Sequence, residues 1–357
     1  MASLATDLTT FSGRSVLVTG HTGFKGSWLS FVLARAGAKV TGVALPPLST
    51  PSHFDLLDLG KHVDSRFCDI RNLSAFQEVV RQSRAEVVFH LAAQALVRTS
   101  YADPYTTFST NVLGSSNVLE CVKSSNTIST LVYVTSDKCY KNKEQHKGYS
   151  ETDELGGIDP YSVSKAAAEL VFAGYANSFF SRSDTPRIAS ARAGNVVGGG
   201  DWSPDRLIPD CVRALRDNTT IDIRSPRATR PWQHVLEPLS GYIRLAVALD
   251  DGTAQSGSSW NFGPPESSVH DVEEVATLVA SRWGNDDAIR ITPNHGTMHE
   301  SKLLQLNSQK ANTFLDWNTR WNFQETMQHT VDWYRAWDTG ETAESLTNKD
   351  IIDYVST

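Results

Sequence analysis

The sequence predicts an α/β protein with a doubly wound parallel sheet followed by a smaller C-terminal α/β lobe. Short apolar runs alternate with segments of helical periodicity between residues 15 and 191. Strands that are joined through helices lie parallel, and the helices then cover both faces of the sheet. The alternation stops after Gly194, where Gly, Pro, Trp and Arg become frequent. We therefore expect one domain over residues 1–193 and a second lobe over residues 194–357, with interleaved boundaries.

The individual elements follow from apolar periodicity and from the residues that interrupt it. Gly37 ends the first helix, and Pro46 and Pro47 stop the second strand. Strands are predicted at residues 15–19, 39–45, 86–91, 130–134 and 187–191, and helices at residues 24–36, 73–82, 104–123, 159–180, 237–249, 269–283 and 323–337. Residues 338–357 are polar, which predicts a loosely packed tail.

The composition excludes several classes of function. A net charge of −7 argues against nucleic acid as a partner, because phosphate binding needs a basic face. No apolar stretch approaches the ~18 residues that span a bilayer, and the N-terminus lacks the pattern of a signal peptide. We therefore expect a cytoplasmic protein that binds no membrane. The four cysteines have no CxxC spacing, which predicts reduced thiols and no metal site.

A glycine-rich turn follows the first predicted strand. Gly20, Gly23 and Gly26 form the pattern GxxGxxG between that strand and the first helix. In this context the glycines let the backbone approach a pyrophosphate, and the helix N-terminus supplies N–H groups and positive potential. The alternative is a tight turn without a ligand. The pattern predicts a dinucleotide-binding Rossmann domain with cofactor contacts from Gly20, Thr22, Gly23, Phe24, Lys25 and Gly26.

The rest of the cofactor site is less complete in the sequence. The end of the second strand has no Asp or Glu for a ribose 2′-hydroxyl and no Arg for a 2′-phosphate, which leaves NAD and NADP both open. Asp69 and Ile70 are candidates for the adenine end, with an exposed ion pair between Asp69 and Arg71 as an equal alternative. Small residues after the 86–91 strand leave room for nicotinamide, and the cofactor contacts predicted besides the glycine turn are Leu91, Ala92 and Ala93, together with Tyr161 and Lys165.

Two short strings carry the candidate catalytic residues. Tyr161 is followed four residues later by Lys165, and on a helix this spacing puts both side chains on one face. A cation beside a phenol favours the phenolate, which predicts that Tyr161 acts as a base near neutral pH. Ser136 ends an apolar strand and is predicted to hydrogen-bond the same substrate hydroxyl. Asp137 and Lys138 come next and indicate more than one proton transfer, with a surface turn as the alternative.

Six motifs occur in order along the chain: TGHTGFKG, HLAAQALVRTSY, TSDKCY, DPYSVSK, RAGNVVGGGDW and RPWQHVLEPL. Together they resemble the extended short-chain dehydrogenase/reductase family, and within it the CDP-glucose 4,6-dehydratases, from about residue 11 to residue 337. The resemblance implies NAD as a permanently held cofactor and CDP-glucose as the substrate. It also implies a lyase reaction that oxidises C-4, eliminates water across C-5 and C-6, and returns hydride to C-6, giving CDP-4-keto-6-deoxyglucose.

The resemblance also assigns roles to the candidate residues. Tyr161, assisted by Ser136 and Lys165, would remove the proton of the 4-hydroxyl, and Asp137 would protonate the leaving 6-hydroxyl. Relatives that act on dTDP-glucose carry Asp-Glu where this chain has Asp137 and Lys138. Because lysine is a poor base unless it is desolvated, we expect Lys138 to be either the C-5 base or a stabiliser of the enolate.

The second lobe is expected to bind the nucleotide diphosphate. The contacts that the resemblance implies there are Asn195, Arg206, Leu207 and Arg230, and a solvated charge is the alternative for Arg206. In relatives the helices that correspond to residues 104–123 and 159–180 form a subunit bundle, which implies a homodimer or homotetramer. Other nucleotide-sugar 4,6-dehydratases, a 4-epimerase acting on a UDP-, dTDP- or GDP-sugar, and a catalytically silent nucleotide-sugar-binding protein remain alternatives.

Overall fold

The computed structural model describes residues 4–292 and 303–357 of the chain. Its strands are β1 (Ser15–Thr19), β2 (Lys39–Ala44), β3 (Asp64–Phe67), β4 (Val87–His90), β5 (Thr130–Val134), β6 (Arg187–Ala193), β7 (Val196–Val197), β8 (Ile221–Ile223), β9 (Thr229–Pro231), β10 (Gln233–His234), β11 (Ser259–Phe262), β12 (Val269–Asp271) and β13 (Ile289–Ile291). Seven of them form one parallel sheet in the order β11-β6-β5-β4-β1-β2-β3. This sheet confirms the predicted doubly wound α/β class.

Helices surround the sheet and build the second lobe. They are α1 (Leu4–Thr9), α2 (Phe24–Arg35), α3 (His53–Leu56), α4 (Leu73–Ser83), α5 (Val97–Ala102), α6 (Pro104–Phe108), α7 (Ser115–Ser124), α8 (Pro160–Phe179), α9 (Leu207–Arg216), α10 (Leu236–Asp250), α11 (Val272–Trp283), α12 (Gln309–Leu315), α13 (Phe323–Asp338) and α14 (Ala343–Ser356). The predicted helices and strands of the first 193 residues end within two residues of these bounds, apart from the helix at 104–123.

The central strands are buried on both faces because helices cover each side. Along β5, Val132 and Val134 contribute to one hydrophobic core, whereas Leu131 and Tyr133 contribute to the other. Successive side chains of a strand point to opposite faces, so an uninterrupted apolar run is what a sheet covered on both sides requires. The carboxyl ends of β1, β4, β5 and β6 therefore meet at one edge of the sheet, next to each other in the strand order.

The predicted helix at 104–123 is divided in the structure. A π-helical segment, Ser109–Gly114, lies between α6 and α7. Within it the Asn111 side chain accepts a hydrogen bond from the backbone N–H of Gln94 at 2.8 Å and donates to Ser164 at 2.8 Å. These contacts fix the segment against α8, which is a tertiary interaction that helical periodicity does not report.

Two strands of the sheet lie outside the predicted set. The edge strand β3 contains Asp64, Ser65 and Arg66 and is largely exposed, so it carries no apolar pattern. Strand β11 pairs with β6 although it lies within residues 194–357, and α10 packs against β5 and β6. The second half of the chain thus contributes directly to the central sheet.

The prediction of a loosely packed tail at 338–357 is wrong. Residues 343–356 form α14, which buries Leu346 and Tyr354 together with the polar residues Thr347 and Asp350. The Tyr354 hydroxyl donates to the buried Glu237 carboxylate at 2.7 Å, which attaches α14 to α10. A helix held mainly through buried polar groups looks like a solvated tail when only hydropathy is considered.

Candidate active site

The glycine loop forms a tight cradle at the end of β1. Gly20 has a φ of +79°, and a Cβ there would lie 2.8 Å from the backbone nitrogen of Ala92. A Cβ at Gly26 would lie 2.6 Å from the carbonyl carbon of Gly20 and closer still to its oxygen. Backbone atoms cannot move aside as a flexible side chain can, so only glycine fits these two positions. The close approach of α2 to the loop is the arrangement that pyrophosphate binding requires.

The N-terminus of α2 faces this cradle. Gly23 is its N-cap, and no side chain caps the helix there. Helix N-termini without a capping side chain offer N–H groups and positive potential to an anion. Thr22 is held beside the loop because its hydroxyl donates to the Leu45 carbonyl at 2.8 Å. Phe24 begins the helix, and a Cβ added at Gly198 would lie 3.4 Å from the tip of its ring.

The residues predicted around the rest of the cofactor occupy two neighbouring loops. The Thr19 hydroxyl accepts hydrogen bonds from the backbone N–H groups of Leu91 and Ala92, each at 3.1 Å, so the 91–93 segment is held against the glycine loop. Asp69 accepts hydrogen bonds from Arg71, the shortest at 2.6 Å, and both side chains are about one-third exposed. Ile70 is buried against Gly114. Ala93 is partly buried in the same loop as Ala92.

Ser136 and Asp137 lie at the carboxyl end of β5. Ser136 caps a 3-10 turn, Asp137–Cys139, and its Oγ accepts a hydrogen bond from the Lys138 backbone N–H at 3.3 Å. The same Oγ donates to Asp137 Oδ1 at 2.9 Å. Burial raises the pKa of Asp137 above its ordinary value, and the charges of Lys138 and Arg230 oppose part of that increase. A buried carboxyl with a raised pKa is suited to act as a general acid. The alternative of a solvated surface turn does not describe this segment, in which Ser136, Asp137 and Cys139 are buried.

Helix α8 brings Tyr161 and Lys165 to the same place, as their spacing predicts. Both side chains are buried, at 8% and 6% exposure. Burial raises the pKa of Tyr161 to about 12, opposed by a hydrogen bond from Ser136 and reinforced by the charge of Asp137. Burial also lowers the pKa of Lys165 to about 8. Desolvation therefore opposes formation of the phenolate, and the role of Tyr161 as a base near neutral pH stays a prediction.

A group of cations surrounds Asp137. Burial lowers the pKa of Lys25 to about 8, and the charges of Arg206 and Lys165 lower it further, while Asp137 opposes the shift. The charge of Arg230 lowers the pKa of Asp137, and the charge of Arg206 lowers the pKa of Tyr161. The chain carries a net charge of −7, yet the positive charges of Lys25, Lys138 and Arg230 all reach this one carboxyl group. Such a concentration of positive charge fits anionic ligands that carry phosphate groups.

Comparison with known proteins identifies the family. A family model described as GDP-mannose 4,6 dehydratase matches residues 17–330. The chain belongs to this family. A CDP-glucose 4,6-dehydratase from Salmonella typhimurium is 45% identical over 97% of each chain. The resemblance that the six motifs carry is thereby confirmed.

Solved structures of similar proteins share the fold. A dTDP-glucose 4,6-dehydratase from Bacillus anthracis, in complex with NAD, has a TM-score of 0.76 at 23% identity, covering 92% of this chain and 98% of that one. A UDP-glucose 4-epimerase from Thermotoga maritima has a TM-score of 0.79 at 21% identity, covering 90% of this chain and 98% of that one. At these identities the likeness concerns the Rossmann-type architecture.

The residues predicted to hold the substrate lie around the same edge of the sheet. Asn195 follows β6 directly after Gly194, where an added Cβ would lie 3.0 Å from Asp137 Oδ2. Arg206 precedes α9 and pairs with Asp201 at 3.0 Å, and Leu207 is the first residue of that helix. Arg230 lies in β9. Arg206 is thus paired with Asp201 while about one-third of its side chain is exposed.

A buried ion pair behind the catalytic residues was outside the sequence prediction. Arg192 of β6 and Glu169 of α8 meet at 2.6 Å with almost no exposure. Glu169 also accepts a hydrogen bond from Thr135, the residue before Ser136. The pair therefore fixes the end of β5 relative to α8. The sequence contains a signal for this pair, because Arg192 lies inside an apolar strand and a buried charge needs a partner. Glu169, one helical turn after Lys165, is a carboxylate placed to be that partner.

Metal ligation and membrane insertion find no support in the described residues. Within residues 4–292 and 303–357, no group of three His, Cys, Asp or Glu side chains is arranged to hold a metal ion. None of the helices in those ranges is long and apolar enough to cross a membrane.

Proposed function

We propose that the protein is an NAD-dependent CDP-glucose 4,6-dehydratase that forms CDP-4-keto-6-deoxyglucose and water. The observation that carries this proposal is the buried group of Ser136, Asp137 and Tyr161 beside the glycine cradle. A simple dehydrogenase or a 4-epimerase needs a group like Tyr161 but has no use for an additional buried acid. The relative at 45% identity, a CDP-glucose 4,6-dehydratase, supports CDP-glucose as the substrate.

The cradle around Gly20 and Gly26 fits a dinucleotide pyrophosphate, because any Cβ at those positions would fill the space where the backbone approaches. We assign Gly20, Thr22, Gly23, Phe24, Lys25 and Gly26 to the pyrophosphate region, and Asp69, Ile70, Leu91, Ala92 and Ala93 to the remainder of the cofactor. NAD held by these residues would supply the hydride chemistry for oxidation at C-4 of the sugar and reduction at C-6. The neutral end of β2 offers no cation for a 2′-phosphate, which favours NAD over NADP.

The protein's own residues move the protons. Tyr161 takes the proton of the 4-hydroxyl, and Lys165 and Ser136 stabilise the negative charge on the phenolate. Once C-4 is a ketone, the C-5 proton becomes acidic. Asp137, whose pKa is raised by burial, carries a proton to the departing 6-hydroxyl, which leaves as water. A proton is delivered to C-5 at the end of the cycle, from a base that has exchanged with solvent.

Lys138 is proposed to act on the C-5 side of the sugar. It follows Asp137 directly in the 3-10 turn and is partly buried, and its charge reaches the Asp137 carboxyl. In this place it either takes the C-5 proton or stabilises the enolate through its charge. The two roles differ in whether the proton at C-5 exchanges when Lys138 is removed.

The group of cations around Asp137 and Tyr161 is proposed to hold the nucleotide diphosphate. Arg206 and Arg230 flank Asp137 and Tyr161, and guanidinium groups bind phosphate oxygens in a bidentate manner. Asn195 and Leu207 complete the proposed set, each at the start of a segment that faces the same edge of the sheet.

The assay for this function uses the purified protein and CDP-glucose without added NAD. We expect a 4-keto-6-deoxy sugar and, in heavy water, one deuterium at C-5 of the product. Absence of product, with bound NAD confirmed after denaturation, would contradict the proposal. Parallel reactions with UDP-, dTDP- and GDP-glucose test the base, and a clear preference for one of these would replace CDP-glucose in the proposal. A Lys138→Met variant is expected to keep C-4 oxidation, which is visible as the absorbance of reduced nicotinamide at about 340 nm. The same variant is expected to lose deuterium uptake at C-5.

We also propose a cytoplasmic homodimer or homotetramer. Apolar side chains remain exposed on the surface of the α6–α8 region, including Tyr105, Leu113 and Leu170. Large exposed apolar groups concentrated on one set of helices are typical of a subunit interface. Sedimentation velocity of the purified protein measures the assembly directly.

A further inference from the structure

Asp201 is a buried carboxylate in the chain segment that carries three of the proposed substrate contacts at its two ends. The segment runs from Asn195 to Arg206 and leads into α9. Asp201 is 5% exposed, and its Oδ2 accepts a hydrogen bond from Arg206 Nη1 at 3.0 Å. Its other oxygen, Oδ1, accepts from the backbone N–H of Ser203 at 3.0 Å. The carboxylate therefore joins the turn of its own loop to the guanidinium group of Arg206.

The backbone around Asp201 is held by side chains of two helices. The Tyr334 hydroxyl of α13 donates to the Asp201 carbonyl at 2.6 Å. Trp28 Nε1 of α2 donates to the Gly199 carbonyl at 2.9 Å, and a Cβ at Gly199 would overlap the ring of Trp333 in α13. The three aromatic side chains are buried, so the loop has little freedom to move. Asp201 is thus an acceptor in a fixed position.

The same segment lies beside the proposed active site. Directly before it, a Cβ added to Gly194 would lie 3.0 Å from Asp137 Oδ2. Near its other end, Asp205 pairs with Arg98 of α5 at 3.0 Å. Helix α5 follows the loop at residues 91–93 that is assigned to the cofactor. The arginine at the end of the segment is therefore placed between the catalytic turn and the first domain, and about one-third of its side chain is exposed.

We infer that Asp201 is a positioning residue that holds the Arg206 guanidinium in place for the diphosphate of the substrate, an inference that rests on the proposed function. A guanidinium has five N–H donors, and the bond to Asp201 engages Nη1, so donors remain for phosphate oxygens. A long side chain loses rotamer freedom when it binds a ligand, and one that is already held avoids that cost. Because Asp201 acts through Arg206, its effect falls on substrate binding and not on proton transfer.

The negative charge of Asp201 also has an opposite effect, because it repels a nearby phosphate. In the proposed arrangement the guanidinium lies between the two anions, and a backbone N–H already bonds to Asp201 Oδ1. Both features reduce the negative potential that the phosphate meets. We therefore expect positioning to outweigh repulsion, and the sign of the change in affinity distinguishes the two effects.

Calorimetric titration of the NAD-loaded protein with CDP measures this effect without catalysis. Asp201→Asn keeps the size of the side chain and removes its charge, and we expect CDP to bind about two- to ten-fold more weakly. In turnover, KM for CDP-glucose should rise by a similar factor while kcat stays within about two-fold of wild type. Asp210→Asn is the matched control, because Asp210 forms a more exposed pair with Arg213 on the same helix α9. This control should bind CDP as the wild type does.

A double-mutant cycle separates positioning from a structural effect on the loop. Arg206→Ala is expected to weaken CDP binding by about ten-fold or more. If Asp201 acts through this arginine, Asp201→Asn changes CDP affinity by less than about two-fold in the Arg206→Ala background. A general distortion of the loop would weaken binding by the same factor in both backgrounds. Asp201→Ser, whose hydroxyl can accept from the Ser203 N–H, replaces Asp201→Asn if the latter does not fold.

Three results would overturn the assignment of Asp201. Equal or tighter CDP binding in Asp201→Asn would mean that repulsion balances or outweighs positioning. An equal loss with and without Arg206 would make Asp201 a structural residue of the loop, and failure of both Asp201 variants to fold would assign it to the fold alone. Failure of the proposed function looks different, because the wild type itself would then bind no CDP and form no 4-keto sugar from CDP-glucose.

Discussion

Thr347 of α14 is connected to the first turn of α2 by a chain of buried hydrogen bonds. The Ser27 hydroxyl donates to the Phe24 carbonyl at 2.9 Å, so it accepts from His53 Nδ1 at 2.8 Å. His53 Nε2 then accepts from the Thr347 hydroxyl at 3.1 Å. The Thr347 oxygen in turn accepts from Trp333 Nε1 at 3.3 Å. Burial lowers the pKa of His53 to about 3, so the imidazole stays neutral. The neutral ring then has one N–H donor, Nδ1, and one acceptor, Nε2.

Replacing Thr347 by Val removes both hydrogen bonds and keeps the shape of the side chain. His53 Nε2 and Trp333 Nε1 then remain buried without a protein partner, and each such group costs about 1–3 kcal/mol. Because the bond to Trp333 is long, we expect the free energy of unfolding to fall by about 2–4 kcal/mol. Thr347→Ser keeps the hydroxyl and loses one methyl group, which costs about 1 kcal/mol.

Urea unfolding followed by circular dichroism measures these differences, and retention of NAD through gel filtration reports on the first turn of α2. Thr330→Val is the matched control, because Thr330 is equally buried on α13 and its hydroxyl donates only to the Thr326 carbonyl of its own helix. We expect this control to cost less than about 1 kcal/mol. The reasoning is refuted if Thr347→Val is as stable as Thr347→Ser, or if Thr330→Val loses as much.

Two further predictions follow from single positions. Gly26→Ala is expected to lower NAD retention because its Cβ would overlap the Gly20 backbone. Gly174→Ala is the control and should retain the wild-type amount, because a Cβ there meets no atom within 4 Å. Equal NAD retention in the two variants would contradict the role of the glycine cradle. Burial raises the pKa of Glu237 from 4.5 to about 7, so its stabilising effect is full below about pH 4.5 and is lost as pH rises through about 7. Between those values the folded protein holds a proton that the unfolded chain has released. The free energy of unfolding of Glu237→Gln, measured in urea, should therefore improve relative to wild type over this pH range, and parallel pH profiles would count against the assignment.

The sequence predicts correctly those parts of the fold in which an apolar run stands between polar or turn-forming residues. Strand β5 was predicted at its observed bounds because five consecutive buried residues form a distinct run. The edge strand β3 was missed because Asp64, Ser65 and Arg66 carry no apolar pattern. Polar residues such as Thr347 and Asp350 predict a tail where helix α14 forms, because hydropathy does not show that both are buried. Hydropathy reports the average environment of a residue type and not the partner that a particular polar group finds.

The candidate site divides in the same way. The spacing of Tyr161 and Lys165, the glycine pattern and the sequence Ser136-Asp137-Lys138 are local features, so the chain alone determined which chemical groups are present. Only the tertiary structure decided their protonation, because burial raises the pKa of Tyr161 to about 12 where the neighbouring lysine predicted a decrease. It also decided that Ser136 and Asp137 come close to Tyr161, since packing brings the turn after β5 against the start of α8. Desolvation and the meeting of distant segments depend on packing, which no short stretch of sequence contains.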